Sequence, residues 1–130
     1  MEFALPVPAD LGDWLALSSA VVTAVLGLYM MVVPRRALGL RNMDAEFIGL
    51  PASGIARARA GGFHVGLGLA AILLWQPLLF LALGAAWVFA AIGRLLSVLI
   101  DSPARGRNAV LLILEALLAF GAVAGPLSLI

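Results

Sequence analysis

Four long stretches of this chain carry almost no charge, and short polar segments separate them. Residues 14–33 contain no Asp, Glu, Lys or Arg, which is enough chain for about 30 Å of helix. That run stops at Pro34, Arg35 and Arg36, the punctuation expected where a helix leaves a bilayer. Asp13 stands just before the run and is read as its N-terminal cap. The second stretch covers about 54–75, the third 78–100 and the fourth 109–130. Only Gln76 and Pro77 separate the second from the third, so those two are antiparallel neighbours. The pattern predicts an all-α fold, a bundle of four transmembrane helices forming one integral membrane domain over residues 1–130.

Two of these boundaries require charges inside the membrane. Ending the third span at Arg94 would leave sixteen residues, about 24 Å, short of a hydrocarbon core near 30 Å. Starting the fourth after Glu115 would leave fifteen. Glu115 is therefore embedded, and Arg94 lies inside or snorkels from inside to lipid phosphate. Arg94 lies seven residues before Asp101 and Glu115 eight after Arg107, so they sit at matched depth, about 10 Å below one surface. An unpaired charge in hydrocarbon costs at least ~2.5 to 3.5 kcal/mol, which favours a direct pair. Arg94 also continues the face of Ala82, Ala86 and Ala90, where another helix is expected to pack.

The connection at 34–56 mixes Arg41, Asp44 and Glu46 with Leu38, Leu40, Phe47, Ile48 and Leu50. Alternation of this kind suits a segment lying in the headgroup region, with a short interfacial helix expected around 44–50 and an irregular surface loop as the alternative. In the second span, Gly54, Ala58, Gly62, Gly66 and Ala70 recur every fourth residue and predict the stripe on which a neighbouring helix packs closely. An adjacent stripe of Gly61, His64 and Gly68 brings the one histidine inward. Ser18, Ser19 and Thr23 either bond a neighbouring helix or return their hydroxyls to the backbone one turn earlier.

Composition closes off many functions. Hydrophobic residues make up 64% of the 130 and charged residues 12%, too little polar surface for a soluble globule. Cysteine is absent and there is a single histidine, so no thiolate or histidine cluster exists to hold a metal. Nucleotide loops and serine triads are missing too, and no cofactor is named by the residues. All eight basic residues are Arg, and the net charge of +1 hides a strong segregation that does not resemble a nucleic-acid footprint. Arg35, Arg36, Arg41, Arg57, Arg59, Arg105 and Arg107 fall on one side of a four-span bundle, while Glu2, Asp10 and Asp13 fall on the other. The positive-inside rule places the arginine loops in the cytoplasm and both termini outside. The acidic start lacks the basic region of a cleavable signal peptide and is expected to be retained. Trp14 and Trp75 suit an outer aromatic belt, whereas Trp87 is mid-span and needs a packing or ligand role.

The segments ARARAGGFHVGLGLA, GRLLSVLID and the glutamate early in the fourth span resemble a four-helix bacterial inner-membrane family of unknown function, grouped with the DoxX-like proteins. The likeness covers about residues 27–120, with Asp101 followed by Ser102 and Pro103 where that family tends to have glycine after the aspartate. It implies a compact bundle in the bacterial inner membrane, hence periplasmic termini. Some DoxX-like relatives resemble membrane subunits of quinone-linked oxidoreductases.

The candidate polar site comprises His64, Arg94 and Glu115, with Asp101 and Arg57 at its margin, and Ala58, Gly62, Gly66 and Ala70 as the packing face. His64 alternatively bonds a backbone carbonyl or the Glu115 carboxylate, and the Arg94 and Glu115 pair alternatively serves only to hold two helices in register. The residues favour a non-enzymatic protein that binds a lipid-like molecule, a membrane protein partner or a second copy of itself. A small transporter using His64 and Glu115 as a proton relay is the second class. An enzyme, a lipid isomerase or an oxidoreductase subunit, is the third, with Glu115 and His64 as its one acid–base pair.

Overall fold

A computed structural model describes residues 6–38, 46–47, 50–101 and 105–130. Helix α1 spans Leu11–Val32, α2 Pro34–Leu38, α3 Ala52–Ile55, α4 Phe63–Leu74, α5 Pro77–Ile100 and α6 Arg105–Ala124. A π-helical segment, Ala56–Gly62, joins α3 to α4 with right-handed backbone at both junctions, so residues 52–74 form one continuous rod.

Helix α1 starts three residues before the expected boundary because Asp10, not Asp13, is its cap. The Asp10 carboxylate accepts from the Asp13 N–H at 2.8 Å, and Asp13 reaches back to accept from the Ala9 N–H at 3.0 Å. One orphan donor of the first turn, the Asp13 N–H, is thereby satisfied, together with the Ala9 N–H just before the helix. The link between α4 and α5 is as short as expected. Trp75 adopts φ 47°, ψ 43° to end α4, and Pro77 opens α5, where its missing N–H costs nothing. Helix α6 begins four residues earlier than predicted and ends six earlier. Proline has no N–H to continue the ladder, so Gly125 and Pro126 stop the helix and the remaining residues form turns. Of the segment 44–50, where an interfacial helix is expected, Glu46, Phe47 and Leu50 are described, and Glu46–Phe47 pairs antiparallel with Leu50–Pro51. Residues 39–45 and 48–49 of that segment lie outside the described residues.

Helix α1 packs along the 52–74 rod on one side and α6 on the other, and α5 packs along α6. The fourth seam, between α4 and α5, is sparse, and α1 and α5 lie diagonally opposite. The interior is built from small residues: Ala16, Ala20, Ala71, Ala119 and Ala122 are buried together with Leu83, Phe80 and Trp87. Many large hydrophobic residues point outward, with Val25 60%, Phe89 72% and Leu99 72% exposed. This inversion fits a bilayer, where lipid offers no hydrophobic drive for association and close backbone approach has to supply it. Leu11–Val32, Pro77–Ile100 and Gly106–Ala124 are each long and apolar enough to cross a membrane, and at most a third of each is buried. The chain is a small helical membrane protein.

The close approaches are not those of the predicted stripe. A Cβ on Gly66 would meet nothing within 4 Å, Ala58 and Gly54 are exposed, and a Cβ on Gly62 would only graze its own helix. The inward face instead carries Gly61, Gly68 and Ala71, all buried. A Cβ on Gly68 would lie 2.8 Å from the Ala20 carbonyl oxygen and from the Ala24 nitrogen, and one on Gly27 would lie 2.7 Å from the His64 Cβ. A four-residue step overshoots a full α-helical turn by about 40°, so the row from Gly54 to Ala70 drifts around the rod, and within α4 itself Gly66 stands about 200° from Gly68, on the opposite side.

Candidate ligand-binding site

Arg94 and Glu115 meet between α5 and α6. The Arg94 Nε donates to both carboxylate oxygens, at 2.8 and 2.9 Å, and Nη2 donates to Oε1 at 2.5 Å. A planar guanidinium matches a carboxylate in this forked geometry, which a lysine cannot reproduce. Nη1 adds a bond to the Asn108 Oδ1 at 3.3 Å. Glu115 is 5% exposed, while the Arg94 side chain keeps 27% of its surface. The acid is thus the enclosed partner, and the arginine presents an open edge to a cavity of about 530 Å³.

That cavity sits at the arginine-rich end of the bundle. Its walls come from α1 through Leu26, Tyr29 and Met30, from the rod through Ala60 and His64, from α5 through Trp87, Ala90 and Arg94, and from α6 through Arg107, Leu111, Leu114 and Glu115. Ala37 of α2 contributes a further edge. The structure therefore brings His64, Arg94 and Glu115 to one chamber. His64 has neither of its two expected bonds. Its Nδ1 is buried without a hydrogen-bond partner, and its ring stands edge-on to Trp87, centroids 5.3 Å apart at 67°.

Trp87 is held by a relay through the bundle. Its indole N–H donates to Thr23 Oγ1 at 2.9 Å, the Thr23 hydroxyl donates to the Ser19 carbonyl at 2.7 Å, and the Ser19 hydroxyl donates to the Leu118 carbonyl at 2.7 Å. Thr23 and Ser18 return to their own helix, Ser18 to the Trp14 carbonyl, whereas Ser19 crosses to α6. Beyond Trp87, toward the Trp14 and Trp75 end, the interior closes over Ala20, Leu83 and Ala122, each 0% exposed.

Two predicted members stand apart. Arg57 is exposed and donates through Nη1 to the carbonyls of Met31 and of Val32, the latter at 3.2 Å. It caps the C-terminus of α1, where a cation also complements the helix dipole. Asp101 is exposed at the end of α5, and its N–H bonds the Ser97 carbonyl in the last turn. Of the predicted packing residues, Ala58, Gly62 and Gly66 face outward or into open space, and Ala70 is half-buried. Sequence reasoning missed Arg107 and Asn108 as site residues because both read as topological signals of the polar turn. Trp87 did leave a signal: an indole N–H mid-span in hydrocarbon requires a partner.

No family model, curated protein or solved structure matches this chain.

Proposed function

We propose that this chain is a four-span membrane protein that binds a lipid-like molecule, without chemistry, in the chamber formed by His64, Trp87, Arg94 and Glu115. In this reading the 52–74 rod is the remaining membrane crossing, the arginine-bearing connections lie in the cytoplasm and both termini lie outside. The observation that carries the binding role is the cavity of about 530 Å³, within the usual size range of ligand pockets, whose wall is apolar except for a few convergent polar groups. The unpartnered His64 Nδ1 adds support, since a buried polar atom without a bond is costly unless something completes it.

Transport is less well supported. A proton route needs exchangeable groups through the outer half, and the described interior there is Ala20, Leu83 and Ala122, with the Ser19 and Thr23 hydroxyls both donating to carbonyls. The likeness to DoxX-like proteins suggests a quinone-linked partner complex, a link at the level of fold only.

The test is native mass spectrometry of the detergent-purified protein with identification of co-purified lipid. The wild-type chain is expected to carry a bound molecule, and Ala90→Phe, which fills the chamber from an exposed position of α5, is expected to lose it while unfolding at an unchanged temperature. Equal occupancy in wild type and variant would overturn the site.

A further inference from the structure

We infer that the chamber takes an amphiphile with an anionic head and a single alkyl or isoprenoid chain, the head held by Arg107 and the open edge of Arg94 and the chain leaving sideways between α4 and α5. This rests on the lipid-binding reading above and names the chemistry of its ligand.

The head is set by charge. Among the described residues the chamber wall carries Arg94, Arg107 and Glu115, two cations against one anion. Glu115 is consumed by Arg94, whose fork takes both carboxylate oxygens. Of the five N–H groups of that guanidinium, Glu115 and Asn108 account for three, and the remainder lie on the nitrogens Nη1 and Nη2. Arg107 is exposed on the same wall and forms no ion pair among the described residues. A phosphate or carboxylate oxygen set between the two arginines balances the chamber and meets donors that already point into it.

The tail is set by the loose seam. Three of the four helix seams close tightly, whereas α4 and α5 touch little beyond their hairpin. The gap between them holds a slot of about 170 Å³ lined by Phe63, Leu67 and Ala86, and it shares His64, Trp87 and Ala90 with the polar chamber. Phe63 is 75% exposed, so the slot opens on the lipid-facing surface. A chain anchored at the arginines can pass His64 and Trp87 and run out into the acyl region without leaving an apolar wall. At about 170 Å³ the slot has room for part of one chain, the rest running out into the acyl region.

The experiment uses Trp87, the one tryptophan on the slot, as the reporter. The purified full chain in neutral maltoside detergent is titrated with three bromine-labelled undecyl probes that differ only in the head: phosphate, hydroxyl and trimethylammonium. Inorganic phosphate is added as a competitor. The phosphate-headed probe is expected to quench saturably, with Arg107→Gln weakening it about tenfold, the scale of one charge-assisted contact. Ala86→Phe, at an exposed position of the slot, is expected to remove the quenching. Saturable quenching by all three probes with no effect of Arg107→Gln would overturn the anionic head while leaving lipid binding intact. Displacement by inorganic phosphate at the affinity of the alkyl probe would overturn the chain-binding slot. No saturable quenching by any probe would remove both this inference and the lipid-binding reading.

Discussion

Trp87 of α5 donates its indole N–H to Thr23 of α1 at 2.9 Å, a bond between the two helices that otherwise lie diagonally across the bundle. Both side chains are buried, at 7% and 1% exposure, and Thr23 in turn donates to the Ser19 carbonyl. One hydroxyl thus fixes the ring that lines the chamber and meets His64 edge-on.

Thr23→Val keeps the shape and removes the acceptor, leaving the indole N–H unpaired in a dry interior. The expected loss is about 1 to 3 kcal/mol. Trp87→Phe in the Thr23→Val background is expected to recover part of that loss, since it removes the stranded donor. Thermal unfolding of the four chains in detergent measures it, and equal midpoints for wild type and Thr23→Val would show that the bond contributes nothing.

For the Arg94 and Glu115 pair, each single change to leucine leaves one charge enclosed, whereas the double change leaves none. Breaking a buried pair costs roughly 3 to 5 kcal/mol in soluble proteins, an upper guide here because the Arg94 side chain retains surface. The double variant is expected to be more stable than either single one, and Arg94→Lys to fall between wild type and Arg94→Leu because it loses the fork. A double-mutant cycle without coupling energy would mean that the two groups are independently solvated.

The glycines of the rod provide a sharp contrast. Gly68→Leu drives a side chain into the Ala20 and Ala24 backbone and is expected to prevent a stable bundle. Gly66→Leu enters open space one half-turn away, and replacing glycine by a strong helix former is expected to be neutral or stabilising by up to about 1 kcal/mol. Unfolding in graded denaturing detergent ranks them. If Gly66→Leu proved as damaging as Gly68→Leu, the rod would be rotated from the orientation described.

Topology is tested with reporters fused after Ile130 and within the polar turn that precedes α6. A periplasm-active enzyme such as alkaline phosphatase is expected to be active at the C-terminus and silent in the turn, as the seven arginines of the opposite side require. The reverse result would invert the bundle and place the chamber in the outer leaflet.

Much of the architecture was already determined by the sequence, because hydrocarbon penalises polar groups so heavily. A charge cannot lie at random in a span, so the lengths flanking Arg94 and Glu115 were enough to embed both and bring them to one depth, and the structure joins them. The extent of α5 and the hairpin at Gln76 followed from the same rule and from proline's lack of a donor. Where several arrangements cost nearly the same, only tertiary structure decided. Asp10 and Asp13 are both good caps, and the choice depends on where the preceding chain can turn back. The stripe from Gly54 to Ala70 fails because a four-residue step drifts around the rod, and which glycine face turns inward is decided by the partner helix. Gly61 seats against Gly27 and Met31 while Arg57 reaches the end of α1, contacts between residues about thirty positions apart. The chamber is likewise a property of packing: it exists because α4 and α5 part below their hairpin, and a gap between helices is set by which faces fit together, not by the composition of either one.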